Sequence, residues 1–388
     1  MTRLCIQYGA VNLAQGFPDF DPPLAIKRAA ASAIYNGHNQ YSTPFGTTNL
    51  RDAIARKVND YNHIDCTPDD ITVTCGTTEA MIASELALLD RGDEVVIFEP
   101  FYENYGPDAI LSGARCKYVR MREPDFKVDE ESLKKVFNKK TKAVILNTPH
   151  NPTGRILTRQ ELGLVSDLCQ EYDAYAITDE IYEYILYDGH KHVSIGSLPG
   201  MEDRTITISG FSKTYSVTGW RVGYIVAPRP LTGAIRKVHD FLTVCAPTPL
   251  QEACATALQL PTSYYDQLRE NYHQARELLV ESLGNAGFGV FKPEGAYYVW
   301  TTTDKTGFTD DRKLAQYLIR KVGVGGVPGS SFFHNPSHGR QRFRFSFSKK
   351  HDTIRRAIKR LERLSPGESS KRPNNLRTRR LSIPARVL

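Results

Sequence analysis

Between residues 70 and 228 the chain alternates short apolar runs with longer segments of helical pattern. The runs are DITVTCG, EVVIFEP, CKYVRM, KAVILNTP, AYAITDE, TITISG and RVGYIVAP, rich in β-branched side chains and bounded by Gly, Pro, Asn or Asp. Such runs predict strands, and their alternation with helices predicts an α/β domain: a mostly parallel sheet covered on both faces, in three α/β/α layers. Helices are expected over Glu79 to Leu89, Asp129 to Phe137 and Thr158 to Tyr172, the last opening on a Thr-x-x-Glu capping box.

Beyond Pro261 the pattern changes. A long polar helix, YYDQLRENYHQARELLVESL, precedes short strands within AYYVW and RFRFSFS and a closing helix, DTIRRAIKRLERL. These predict a second, small α+β domain. The first 25 residues hold no strand and helix pair able to stand alone and are expected to complete it. The expected division is a large domain over 26–269, a small domain from 1–25 and 270–365, and a tail over 366–388.

Length and composition narrow this picture. A chain of 388 residues suits two domains. With 40% hydrophobic and 24% charged residues, the bulk is neither disordered, coiled-coil nor collagen-like. The net charge of +7 invites a polyanionic partner, but residues 366–388 hold six Lys and Arg against Glu368 alone. The tail thus carries +5 and the rest of the chain +2. Rich in Arg, Ser, Pro and Asn and without interleaved aromatics, the tail is expected to be disordered and dispensable, with no nucleic acid as partner. Seven scattered cysteines, an odd number with no C-x-x-C spacing, suit idle thiols in the cytoplasm. No basic segment followed by an apolar run opens the chain, and no stretch of about 18 apolar residues occurs, so neither a signal peptide nor a membrane partner is expected.

Three decoys are set aside. The glycine-rich run Gly323 to Gly329 contains Pro328 and is expected to be a turn before a strand rather than a dinucleotide loop. His334 and His338 are split by Pro336 and complete no ligand set, so no metal is assigned. No G-x-S-x-G nucleophile motif is present.

In open parallel sheets ligands sit beyond the carboxyl ends of the strands, so the polar residues where each run stops are the candidates. They are Cys75-Gly76-Thr77-Thr78, Phe101-Tyr102, Asn147 to Gly154 with Asn151 among them, Asp179 to Tyr182, and Ser209 to Lys213. A lysine at such a rim can form a Schiff base with an aldehyde, and a carboxylate can keep a pyridine nitrogen protonated, which makes the ring an electron sink. That set describes pyridoxal phosphate. Gly76-Thr77-Thr78 opens a helix whose free N–H groups and positive dipole end suit the phosphate, with Arg221 adding charge-assisted hydrogen bonds.

The string SGFSKTYSVTGWRVGY over 209–224 resembles the cofactor-lysine signature of class I and II aminotransferases of pyridoxal-phosphate fold type I. QGFPDF, QYSTPFG, EPFYENY, LNTPHNPTG, TDEIYE and FRFSFS follow the family's order and spacing over nearly the whole chain. QGFPDF, EPFYENY and YDGHKHVSIGSLPGM resemble most the kynurenine, glutamine and methionine aminotransferase branch. The resemblance implies a homodimer with active sites at the subunit interface. It implies that Lys213 holds the cofactor covalently and shuttles a proton, that Asp179 pairs with the pyridine nitrogen, that Asn151 and Tyr182 hydrogen-bond the ring oxygen, and that Tyr102 stacks on the ring. Gly76, Thr77, Thr78 and Arg221 would hold the phosphate, with Tyr41 reaching it from a second subunit. Arg344 would grip the substrate α-carboxylate, a task suited to its planar fork, and Gly16 would line the substrate pocket beside Asn151.

Two departures follow. Three residues before the lysine many relatives carry a phosphate-binding serine, where this chain has Gly210, so Ser209 or Ser212 must supply any hydroxyl. Only a short arm precedes QGFPDF, where relatives usually carry a further helix, so the start is expected to be truncated or different. The implied reaction moves the amino group of an L-amino acid with an aromatic, methionine, glutamine or kynurenine-like side chain to a 2-oxo acid, in two half-reactions. No second arginine for a distal substrate carboxylate can be picked out. Two alternatives use the same residues: a β-lyase acting on cysteine conjugates, and a cofactor-binding sensor module without catalysis.

Overall fold

A computed structural model describes residues 1–364. The basic tail expected over 366–388 lies outside the described residues. Helix α1 (Thr2–Gln7) and strand β1 (Val11–Asn12) lead to helices α2 (Leu24–Tyr35) and α3 (Thr48–Lys57). The large sheet then takes β2 (Ile71–Thr74), β3 (Glu94–Glu99), β4 (Arg115–Arg120), β5 (Thr141–Asn147), β6 (Tyr175–Asp179), β7 (Thr205–Gly210) and β8 (Gly223–Val226). Between them run α4 (Thr77–Leu88), α5 (Tyr105–Leu111), α6 (Glu130–Val136) and α7 (Arg159–Glu171), the last with the expected capping box between Thr158 and Glu161. Helices α8 (Arg229–Thr243), α9 (Thr248–Ala257) and α10 (Thr262–Asn285) follow. The chain ends on β9 (Gly289–Phe291), β10 (Tyr298–Thr302), α11 (Asp311–Tyr317), β11 (Val324–Gly325), β12 (Val327–Pro328), β13 (Arg342–Ser346) and α12 (His351–Leu361).

The large sheet has the order β2-β8-β7-β6-β5-β3-β4, and β8 alone runs against its neighbours. Alternate side chains explain why its strands read as unbroken apolar runs. On β3, Val95 and Ile97 pack with Ala80 and Met81 of α4, while Val96 and Phe98 pack with Leu162 and Val165 of α7. With both faces sealed by helices, only the strand ends are open to ligand. The reversed β8 has a useful consequence. Residues just before it arrive at the same rim as residues just after the parallel strands, which brings Arg221 beside Gly76.

The second sheet, β12-β13-β10-β9, is antiparallel. The N-terminal arm joins this end of the molecule: β1 pairs with β11, Val11 opposite Val324, and Val11 and Leu13 share an apolar cluster with Leu279, Phe343 and Phe345. The glycine-rich run 323–329 is therefore not the simple turn expected. It forms β11 and β12, because a side chain at Gly325 would meet Cys5 Sγ at 2.4 Å and one at Gly326 would meet Phe343 at 2.3 Å. The chain passes where only glycine fits. Among the described residues no helix is long and apolar enough to cross a membrane.

The loop after β5 docks onto the second sheet through Gly154, whose carbonyl accepts from the backbone N–H of Glu294 and Gly295. Gly154 has φ +74° and a Cβ there would lie 2.2 Å from that of Pro293. Gly154→Ala is expected to destabilise the protein by about 2 kcal/mol or more, from left-handed strain plus overpacking. A thermal melt reads this as a Tm lower by several degrees; an unchanged Tm would contradict the docking role.

Candidate active site

Every strand of the large sheet except β4 has residues at or next to its end in one cavity of about 900 Å³, which is lined by Thr77, Thr78, Tyr102, Asn151, Asp179, Tyr182, Ser212, Lys213 and Arg221, with Arg344 of the second sheet and Gly16 of the N-terminal arm. Asp179, the last residue of β6, is buried. Loss of solvent pushes its pKa up to about 6 against the pull of two donors, Tyr105 Oη to Oδ2 at 2.9 Å and the Ile181 N–H to Oδ1 at 3.2 Å. Lys213 follows β7 and donates from Nζ to the Gly16 carbonyl at 3.2 Å. Burial pulls its pKa down, which favours the neutral, nucleophilic amine.

Arg344 on β13 enters from the opposite side. Its Nη1 donates to Asn151 Oδ1 at 2.6 Å and Nη2 to the Ala14 carbonyl at 3.0 Å, while its guanidinium lies 4.2 Å from the Tyr298 ring centre and 4.8 Å from that of Phe332. Its Nε is buried and has no hydrogen-bond partner among the described residues. The other arginine of that strand, Arg342, is held by both carboxylate oxygens of Glu123. Asn151 is fixed by its own N–H to Asn147 Oδ1 at 2.7 Å, and Asn147 Nδ2 in turn donates to the Asp179 carbonyl. Tyr182 shares a hydrogen bond of 2.9 Å with the Tyr298 hydroxyl. Burial raises the Tyr102 phenol to about 12.

Gly76 caps α4 at φ +83° with no side-chain acceptor. A Cβ at this point would lie 2.2 Å from Arg221 Nη2. The uncapped N–H groups, the adjacent guanidinium and the Thr77, Thr78 and Ser212 hydroxyls thus form a cradle for an anion.

Two expected residues lie elsewhere. Ser209 is not in the cavity: it points to the other side of β7, where its hydroxyl donates to Glu183 Oε1 at 2.7 Å, which leaves Ser212 as the hydroxyl at the cradle. Tyr41 is 80% exposed and lies outside the cavity of its own chain. A buried group of Glu180, Glu183 and His192 has metal-like spacing, but Lys57 Nζ sits 2.5 Å from Glu183 and supplies the positive charge.

Residues beyond those expected also line or support the cavity. Tyr298 fills the space over Gly16, where a Cβ would lie 1.8 Å from its hydroxyl. Tyr105 was in plain sight within EPFYENY, and Tyr298 within AYYVW, yet no periodicity shows what they touch. Arg312 and Gln316, one turn apart on α11, belong to the lining as well, and Arg312 has no ion-pair partner among the described residues.

The chain matches the family of class I and II aminotransferases over residues 8–361 and belongs to it. It is 37% identical to the methionine aminotransferase of Escherichia coli over 365 residues, 94% of each chain. Its identity to the human kynurenine–oxoglutarate transaminase 1 is 34%, covering 91% of this chain and 92% of the relative. Among solved structures, that of N-succinyldiaminopimelate aminotransferase from Mycobacterium tuberculosis matches with a TM-score of 0.92 at 35% identity, covering 94% of this chain and 96% of that one. The protein is a transaminase of amino acids that uses pyridoxal phosphate.

The residues present fit that cofactor: an anion cradle at an uncapped helix, a buried carboxylate 74 positions from its tyrosine donor, and an amine of lowered proton affinity open on one cavity. Gly76→Ala is expected to weaken pyridoxal phosphate binding about tenfold or more, because the new methyl displaces Arg221 at a cost of about 1 to 3 kcal/mol. Absorbance titration of the apoprotein checks this; unaltered affinity would remove Gly76 and Arg221 from the phosphate site.

Proposed function

We propose that the chain is a cytoplasmic, homodimeric aminotransferase taking aromatic, methionine, glutamine or kynurenine-like L-amino acids as donors and 2-oxo acids as acceptors. The observation that carries this reading is the convergence of Lys213, Asp179 and Arg344 on one cavity. The scattered, unpaired cysteines support the compartment. Exposed Tyr35, Tyr41 and Phe241, at 89%, 80% and 92%, support a contact with a second copy, across which the partner subunit's Tyr41 would reach the phosphate. The N-terminal arm's share in the second sheet's apolar cluster supports a large domain over 26–269 and a small one from 1–25 and 270–365.

Bound in this site, pyridoxal phosphate supplies an aldehyde that takes up amines and a protonated ring that draws electrons from the substrate's Cα. Asp179 holds the ring proton in place. Asn151 and Tyr182 would hydrogen-bond the ring oxygen, Tyr102 would pack on the ring, and Gly76, Thr77, Thr78, Ser212 and Arg221 would fix the phosphate. Arg344 takes the α-carboxylate with its guanidinium, which would orient the Cα–H bond toward Lys213. The Lys213 Nζ then accepts the Cα proton. Gly16 and Tyr298 close the wall behind the substrate.

Donor and acceptor α-carboxylates share Arg344, so their side chains share the rest of the cavity. Tyr102, Phe17 and Phe332 give it aromatic walls, and Arg312 with Gln316 gives it a cationic, hydrogen-bonding side. This supports apolar or amide donors together with an acceptor bearing a distal carboxylate. Initial rates with donor and acceptor varied together are expected to give parallel double-reciprocal lines. Arg312→Ala is expected to raise KM for 2-oxoglutarate about tenfold while sparing a monocarboxylic oxo acid, as loss of one charge-assisted contact would. Intersecting lines would sink the two-step reading, and an equal KM change for both acceptors would sink the role of Arg312.

A further inference from the structure

Tyr105 is the first residue of α5; it lines the cavity, and its hydroxyl reaches the buried Asp179 carboxylate. The residue is buried, its ring packs edge-on against Tyr102 with centroids 5.7 Å apart, and its hydroxyl meets Asp179 Oδ2 at 2.9 Å. Burial and the neighbouring Asp179 both push the Tyr105 phenol well above its ordinary range, so it stays protonated and can only donate to that carboxylate. Nothing in the roles above uses it.

We infer that Tyr105 is a positioning residue for Asp179: its hydroxyl holds Oδ2 and keeps the carboxylate ionised and aimed at the ring nitrogen. This rests on the reading of Asp179 as the partner of that nitrogen. Only the ionised form can pair with a protonated ring, and burial works against ionisation. The surroundings divide into two camps. The Ile181 N–H, Lys213 and Tyr105 favour the carboxylate, whereas Glu180 opposes it. Behind Tyr105 lie two further buried acids, Glu85 on α4 and Asp108 on α5, whose pKa values burial raises to about 9 and about 6. Glu85, with neither carboxyl oxygen partnered among the described residues, thus stays neutral at pH 7 and adds no second anion beside Tyr105. Tyr102, the remaining titratable neighbour of Tyr105, is likewise neutral there.

The sign of the effect is fixed by these groups. Asp179 is ionised above its folded pKa, so cofactor affinity falls as pH drops through about 6. Removing the Tyr105 hydroxyl takes away a donor to the charged form, so the fall moves to higher pH.

The experiment measures the dissociation constant of pyridoxal phosphate from the apoprotein between pH 5 and 8.5 for wild type, Asp179→Asn and Tyr105→Phe, with a thermal melt of each. The component that Asp179→Asn abolishes belongs to Asp179. In Tyr105→Phe that component is expected to shift upward by about 1 to 2 pH units, the size of one hydrogen bond to a charged group. If Asp179→Asn leaves the wild-type profile intact, the reading of Asp179 itself fails. If Asp179→Asn removes the component but Tyr105→Phe overlays on wild type, Asp179 stands and the role of Tyr105 is overturned. Tyr105→Phe keeps the ring and its packing; should it melt far below wild type, the hydroxyl is a structural tie and the inference also fails.

Discussion

Asp179 carries its charge where water hardly reaches, and much of the site follows from that. Raising a carboxyl from its ordinary value to about 6 corresponds to about 3 kcal/mol held against the ionised form. A group whose folded pKa is raised lends full stability only below its unfolded pKa and loses it as pH rises through the folded value. At neutral pH the apoprotein therefore carries this cost, and in the role proposed for Asp179 a protonated ring nitrogen set against it would offset that cost. On that proposal, cofactor binding and the fold's tolerance of a buried anion would be linked through one residue.

The same logic governs the cations. Lys213, Arg221 and Arg344 face one cavity, and the two guanidiniums add to burial in lowering the proton affinity of Lys213. The arginines are tied elsewhere: Arg221 to the carbonyls of Thr218 and Cys75, Arg344 to Asn151 and the Ala14 carbonyl. A phosphate and a carboxylate thus find preorganised partners, while the lysine remains the soft, titratable group between them.

Much of this was legible in the sequence because a doubly buried sheet leaves only its strand ends for chemistry. Runs such as KAVIL and AYAIT stop where the fold stops burying side chains, so Asn147, Asn151 and Asp179 stood out without coordinates. Ser209 misled because a side chain one position earlier on a strand faces the other side, and there Glu183 was waiting for it. The run 323–329 hid two short strands because their partners, β1 and β13, are distant in sequence. Tyr105, Tyr298 and Arg312 act through tertiary contacts that no spacing announces. The reversed strand β8, which carries Arg221 to the rim, could be drawn only once the pairing with β2 was known.

One lysine amine just after the end of β7, that of Lys213, is the proposed attachment point of the cofactor. Borohydride reduction of the holoenzyme fixes the cofactor to whichever side chain carries it, and peptide mapping by mass spectrometry locates that side chain. A single modified peptide with the pyridoxyl group on Lys213 is expected. Modification at another lysine, or none while bound cofactor is present, would contradict it.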